Sequence, residues 1–301
     1  MPAHLIELQS SDPQRTKTTL VIDPIAGGQV VSYATDFPEC SIPWMKAAQA
    51  DHPACFVMVP FCSRIADARF DYDGATVCLV PNDPPHTYAI HGQGWQEAWE
   101  VDSLADDNVT LSYTHEPDDW PWRYRVSVRY GLTGPQLRVD MRTENLSGRS
   151  MPLGVGLHPY FPRDDQSFVQ AGVTHWVPLD AHLMPIGLQT LPAALNLTQG
   201  LVLPTQGLDH VFTPWNGQAL MRWPAQSRPY DLPARRLQMT SNARHLVVWS
   251  PPGADFFCVE GVTNLPNGFN NPLSLPDSFT HLPAGGSHVG YWQFTPSVED
   301  R

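Results

Sequence analysis

The chain has 301 residues, a net charge of −12, 42% apolar and 16% charged residues, and 31 aromatic side chains (10 Trp, 9 Tyr, 12 Phe). This weakly charged, aromatic-rich balance excludes a disordered chain, and the acidic excess argues against nucleic acid and anionic membranes as partners. The 31 prolines, about twice ordinary usage, break helices and central strands, so the chain must run as short strands between turns.

The N-terminal stretch, MPAHLIELQSSDPQRTK, lacks the apolar centre of a secretory leader. No apolar run approaches membrane-spanning length. Leu20–Ile22 and Gln29–Ala34 flank Gly27–Gly28 and read as a hairpin. Ala75–Val80 is a short apolar run between Gly74 and Pro81. Val109–His115, Tyr124–Tyr130 and Gln136–Asn145 alternate as half-buried strands do, the last two joined through Gly134–Pro135. Ser167–Pro178, Leu246–Ser250, Phe256–Val262 and His288–Phe294 continue the pattern. Phe37–His52 and Leu179–Pro204 alternate poorly and read as loop-rich. No window holds a helical period over three turns. We expect an all-β protein, one large antiparallel β-sandwich domain over residues 1–301.

Cys40, Cys55, Cys62, Cys78 and Cys258 are odd in number and stand in no CxxC or zinc-like spacing. They are expected as buried thiols in a reducing compartment, hence a cytoplasmic protein. No metal and no cofactor is expected from these spacings.

Five places could carry chemistry. Arg64, after Pro60–Phe61, offers a donor fork suited to sugar hydroxyls, a carboxylate, or a surface ion pair. His91 precedes Gly92 and Gly94, with Trp95 and Trp99 following; the stretch fits sugar stacking or an aromatic core corner. His158 closes the run MPLGVGLH before Pro159, which should stop the strand and hold the ring at a sheet edge, as a proton-transfer group or a core histidine. Glu260 follows Phe256–Val259, a setting that desolvates a carboxylate and raises its basicity, unless it faces solvent at an edge. Asp209, in GLDHVFTPWNG, is either a ligand group or a turn residue.

In this order the stretches resemble the aldose 1-epimerases, or galactose mutarotases, over nearly the whole chain. TENLSGRSMPLGVGLHPYF is the most specific piece; HGQGWQEAWEV, LDHVFTPWNG and FFCVEGVTNLPNGFN are similar to the family's other site segments. The resemblance implies a large β-sandwich and interconversion of the α and β anomers of a free aldose. It implies Glu260 as the base on the C1 hydroxyl and His158 as the acid on the ring oxygen. It implies His91 at the ring-oxygen side or on hydroxyls, with Arg64 and Asp209 holding hydroxyls further round. Trp95 would offer a face to the sugar. Ser63 stands where the family usually has Asn, which bears on substrate preference. Gly261 stands where it often has Pro, a change that should loosen the strand end.

Mutarotation removes a proton from O1 and delivers one to O5, without redox, nucleophile or metal. It calls for an ionised Glu260 beside a protonated His158, so the carboxylate should have the lower pKa of the two. A hexose-6-phosphate mutarotase would need a basic phosphate pocket, and Lys and Arg total only 18. A glycoside hydrolase or lyase would need two flanking carboxylates and leaves the histidines unexplained. A non-catalytic carbohydrate-binding protein on the same fold would not need Glu260 and His158. The expected partner is a monosaccharide, and the chain would work as a monomer or homodimer.

Overall fold

The computed structural model describes residues 4–11, 16–49, 52–226, 232–271, 273–275 and 277–299. Among them lie twenty-four strands and four three-residue 3-10 helices, and no α-helix. Alternation does the building. Tyr124–Thr133 and Gln136–Asn145 pair in unbroken register from Tyr124↔Asn145 to Thr133↔Gln136, and every second side chain along both is buried.

The strands form two layers. Asn108–His115, Tyr124–Thr133, Gln136–Asn145, Ser287–Val298 and Arg235–Ser241 pair in that order in one layer. In the other, Cys55–Met58, Gly156–Pro162, Phe256–Val262 and His245–Ser250 pair in that order, and Lys17–Asp23 and Gln29–Asp36 join at the edge through Val30↔Cys55. The long strand Leu208–Trp223 belongs to both: its first residues pair with His245–Ser250 and its last with Arg235–Ser241. The inner faces meet in the main core. The Tyr130 hydroxyl donates to the Gly28 carbonyl at 2.7 Å, and the Phe161 ring packs against Phe257 and Phe294.

The second layer is buried on both faces, so its central strands read as continuous apolar runs rather than alternating ones. Its outer face carries a separate apolar cluster that includes Phe56, Met58, Tyr160, Val247, Cys258 and Val262. Loops cover this face, and the candidate site is built on it.

Three expectations need correction. Pro159 does not stop its strand, which runs from Gly156 to Pro162. Pro159 pairs with Cys55 on one side, while on the other the ladder to Phe256–Val262 lapses over residues 157–159, where proline's missing N–H is not needed. Of the five thiols, Cys55, Cys62 and Cys258 are buried, but Cys40 is half-buried and Cys78 exposed. Gly261 does not loosen the strand: it pairs with Leu246 inside Phe256–Val262, and a Cβ there would meet the indoles of Trp215 at 2.8 Å and Trp292 at 3.0 Å. Phe37–His52 and Leu179–Pro204 are loop-rich, as expected, with short strands at Ser41–Pro43, Gln189–Thr190 and Leu201–Val202; residues 50 and 51 lie outside the described residues. Among the described residues no helix is long and apolar enough to cross a membrane.

Candidate active site

A cavity of about 350 Å³ opens on the outer face of the second layer. Its floor follows from period two. His158 and Tyr160 project from one strand, Glu260 from the next, Val247 and Trp249 from the third, and Asp209 and Val211 from the fourth. Gly156↔Val262 and Tyr160↔Cys258 set a register in which residue 158 stands opposite residue 260. His158 Nε2 lies 3.4 Å from Glu260 Oε1, and both side chains are almost fully buried.

Burial acts on the two groups in opposite directions, because each resists carrying charge in an apolar wall. It pushes the Glu260 carboxyl well above its ordinary value; the Asp209 carboxylate adds to this and the Arg64 guanidinium opposes it. It pulls His158 down to about 3, helped by the charge of Arg64. The expected order of the two pKa values is therefore reversed in the free pocket. Carboxylic acid with imidazole, and carboxylate with imidazolium, hold the same single proton, and burial selects the neutral arrangement. The Phe56 ring stacks on His158 at 4.6 Å.

The cavity wall comes from chain far away in sequence. Arg64 sits in a two-residue bridge, Arg64↔Ile90, which brings the His91 segment beside it. The Ser63 N–H donates to His91 Nδ1 at 3.1 Å, and the His91 N–H donates to the Ser63 carbonyl at 3.0 Å. An Nδ1 that accepts leaves the hydrogen of a neutral imidazole on Nε2. Burial, then His158 and Arg64, hold His91 well below its ordinary pKa, so it stays neutral with its hydrogen on Nε2. Gly92, at φ +66°, lets this turn press against Val59: a Cβ would lie 2.2 Å from the Val59 carbonyl oxygen.

Arg64 is half-buried, lines the cavity, and forms no ion pair with a described residue; its guanidinium carbon lies 5.5 Å from the centre of the Tyr88 ring. Asp209 lies in a strand, not a turn, half-buried, with its pKa raised by burial against the pull of Arg64 and His210. Trp95 lines the cavity with its ring against Phe56; its indole N–H is spent on the Gly92 carbonyl at 2.9 Å, leaving the ring for apolar contact. All six expected residues, Glu260, His158, Arg64, His91, Asp209 and Trp95, thus line one cavity.

The family model for aldose 1-epimerase matches residues 14–295. This chain belongs to the aldose 1-epimerase family. Its relatives include the uncharacterized protein YphB of Escherichia coli K12, 30% identical over 254 residues, covering 82% of this chain and 85% of that one. The maltose epimerase of Levilactobacillus brevis is 28% identical over 168 residues, 53% of this chain and 46% of that protein. The crystal structure of a proposed aldose 1-epimerase from Escherichia coli K12 superposes with a TM-score of 0.85 at 25% identity, over 98% of this chain and 100% of that one.

Within this family frame, several cavity residues escaped the sequence reading. Asn82 and Asp83 stood in PNDPPH, which reads only as a turn. In the fold, the Asn82 side chain donates to the Ile90 carbonyl at 2.9 Å and accepts the Ile90 N–H at 2.7 Å, and the Tyr88 hydroxyl donates to Asp83 at 2.8 Å. These bonds hold a polar rim beside Arg64. Trp249 had one available signal, its place two residues after Val247 on a strand, which puts both on one face. Ser63 lies in the left-handed region at φ 59° with its N–H on His91, so the departure from the family pattern keeps its backbone task.

Sequence spacing also concealed a donor cluster. His158, Cys258 and Glu260, all buried, offer one nitrogen, one sulfur and one oxygen within 4.8 Å of one another. The histidine is a hundred residues from the other two, so no ligand motif announces it.

Proposed function

We propose that this protein is an aldose 1-epimerase in activity, interconverting the anomers of an unphosphorylated aldose, with Glu260 and His158 as the proton-transfer pair. One observation carries the reading: the Glu260 carboxyl and the His158 imidazole face each other at 3.4 Å in the wall of a sugar-sized cavity. Ring opening needs a proton taken from O1–H and another given to O5. Glu260 takes the first as His158 gives the second, from the carboxylate–imidazolium arrangement of the pair. In the ring-opened form the proton rests on Glu260, the arrangement that burial favours. Rotation about C1–C2 and reclosure with the roles reversed returns the pair to its starting form, so atoms and charge balance over the cycle.

His91, a neutral donor through Nε2, supports the ring-oxygen side, and Arg64 and Asp209 hold hydroxyls. Arg64 also stabilises the Glu260 carboxylate that the first step requires. General acid and general base each contribute about 10²–10⁴-fold, together on the order of 5–11 kcal/mol of barrier at 1.36 kcal/mol per tenfold. The test is polarimetry on freshly dissolved α-glucose and α-galactose. Catalysed approach to the anomeric equilibrium is the expected result; sugar binding with no acceleration would leave a carbohydrate-binding protein instead.

A further inference from the structure

We infer that His158, Cys258 and Glu260 form a binding site for a thiophilic divalent cation, zinc in the first instance, whose occupancy shuts the sugar site. The geometry is set by the sheet. Cys258 and Glu260 are two apart on one strand and share its outer face, and His158 stands opposite Glu260 on the next. The nitrogen–oxygen separation of 3.4 Å is that of two ligands each about 2.1 Å from a tetrahedral ion. The sulfur completes the trio, with all three donor atoms within 4.8 Å. One thiol, one imidazole and one carboxylate favour zinc, cobalt(II) or copper over magnesium or calcium, which take sets of oxygen ligands.

Three protein ligands leave the fourth position of a tetrahedral ion open, and here it faces the cavity, because His158 and Glu260 both line it. A water or a sugar hydroxyl would fill it. Binding releases the thiol proton and the proton that His158 and Glu260 share. The ion thereby removes the lone pairs of both proposed proton-transfer groups, so it inhibits rather than assists. Cys258 has no part in the proposed proton transfer and otherwise packs in the apolar cluster of the outer face.

The existence of the site is independent of the mutarotase reading; only its inhibitory effect rests on it. The experiment titrates the full chain with Co²⁺ and, separately, follows mutarotation against ZnCl₂. Wild type should show the thiolate-to-cobalt charge-transfer absorption and the visible bands of a tetrahedral site, displaced by Zn²⁺ at one equivalent, and zinc should compete with sugar. Cys258→Ala should lose the charge-transfer band, keep mutarotation, and need at least tenfold more zinc for half-inhibition. Cys258→Ser serves as the second variant if the Ala protein melts early. Wild type without the band, or a folded Cys258 variant that binds zinc as tightly, overturns the site. A band in a protein without mutarotase activity would sustain the site and sink the reading of function.

Discussion

The side-chain amide of Asn264 closes both ends of Cys62, accepting its N–H at 2.8 Å and donating to its carbonyl at 2.9 Å. Asn264 lies four residues beyond Glu260, and Cys62 two residues before Arg64. One buried amide thus ties the Arg64 segment to the strand that carries Glu260. Asn267 adds a second tie: its side chain accepts the Ala66 N–H at 3.1 Å, and its own N–H donates to the Arg64 carbonyl at 2.6 Å. Asn264→Ala orphans two backbone groups of buried Cys62, each at about 1–3 kcal/mol. We expect a lower melting temperature together with a raised KM for sugar, and an unchanged KM would remove Asn264 from the positioning of Arg64.

Glu260→Gln keeps shape and hydrogen bonding but cannot take a proton. We expect kcat to fall by about 10²–10⁴. The melting temperature should hold or rise, because an amide is easier to bury than a carboxyl forced from its ordinary pKa. A well-folded variant keeping more than about a tenth of wild-type kcat is too active for the loss of a general base, and would end the proposed mechanism.

Arg64→Ala should raise KM, because Arg64 holds hydroxyls in ground and transition states alike, and should also lower kcat, because the Glu260 carboxylate loses a stabilising charge. Arg64→Lys keeps the charge that stabilises the Glu260 carboxylate but loses the fork, so its kcat should stay near wild type while KM remains high. A collapse of kcat at unchanged KM in the Ala variant would instead place Arg64 in the chemistry.

The cavity should discriminate against a phosphate. Among its lining residues Asp83 and Asp209 outnumber the one guanidinium, Arg64, and the Glu260–His158 pair adds no net charge. Like charges brought together cost several kcal/mol. We expect kcat/KM for a free hexose to exceed that for its 6-phosphate by about tenfold or more at low salt, which corresponds to about 1.4 kcal/mol. The reverse preference, measured by coupled or polarimetric assay, would overturn the choice of substrate class.

His245 should make stability fall in mild acid. It is buried, with Nδ1 2.8 Å from the Thr213 hydroxyl and Nε2 3.1 Å from the Asp277 carbonyl. Burial holds it down to about 4, against the pull of Asp277 and with the push of Arg244. An unfolded histidine titrates near 6.5. Between those values the unfolded chain binds the extra proton, so the contribution is complete above about pH 6.5 and is lost as pH falls toward 4, at up to about 1.4 kcal/mol per unit. The difference in melting temperature between wild type and His245→Gln should shrink across that window. A difference independent of pH would mean that His245 is already charged in the fold.

Period-two alternation, turn chemistry and proline frequency were enough to determine an antiparallel sandwich, and they located strands such as Gln136–Asn145 and Phe256–Val262 to the residue. Local motifs also marked Glu260, His158, Arg64, His91, Asp209 and Trp95, since each stands in a stretch with its own chemical signature. What the linear order could not carry is everything set by register and by loops that return from a distance. The facing of His158 and Glu260 depends on how two strands a hundred residues apart align, and a slip of one residue would turn one of them to the other face. The reversal of their pKa values needs the full burial that the covering loops supply. Cys258 joins them, and Asn82 and Asp83 reach the cavity rim, only because pairing across the sheet brings remote segments together. Those contacts belong to the tertiary structure alone.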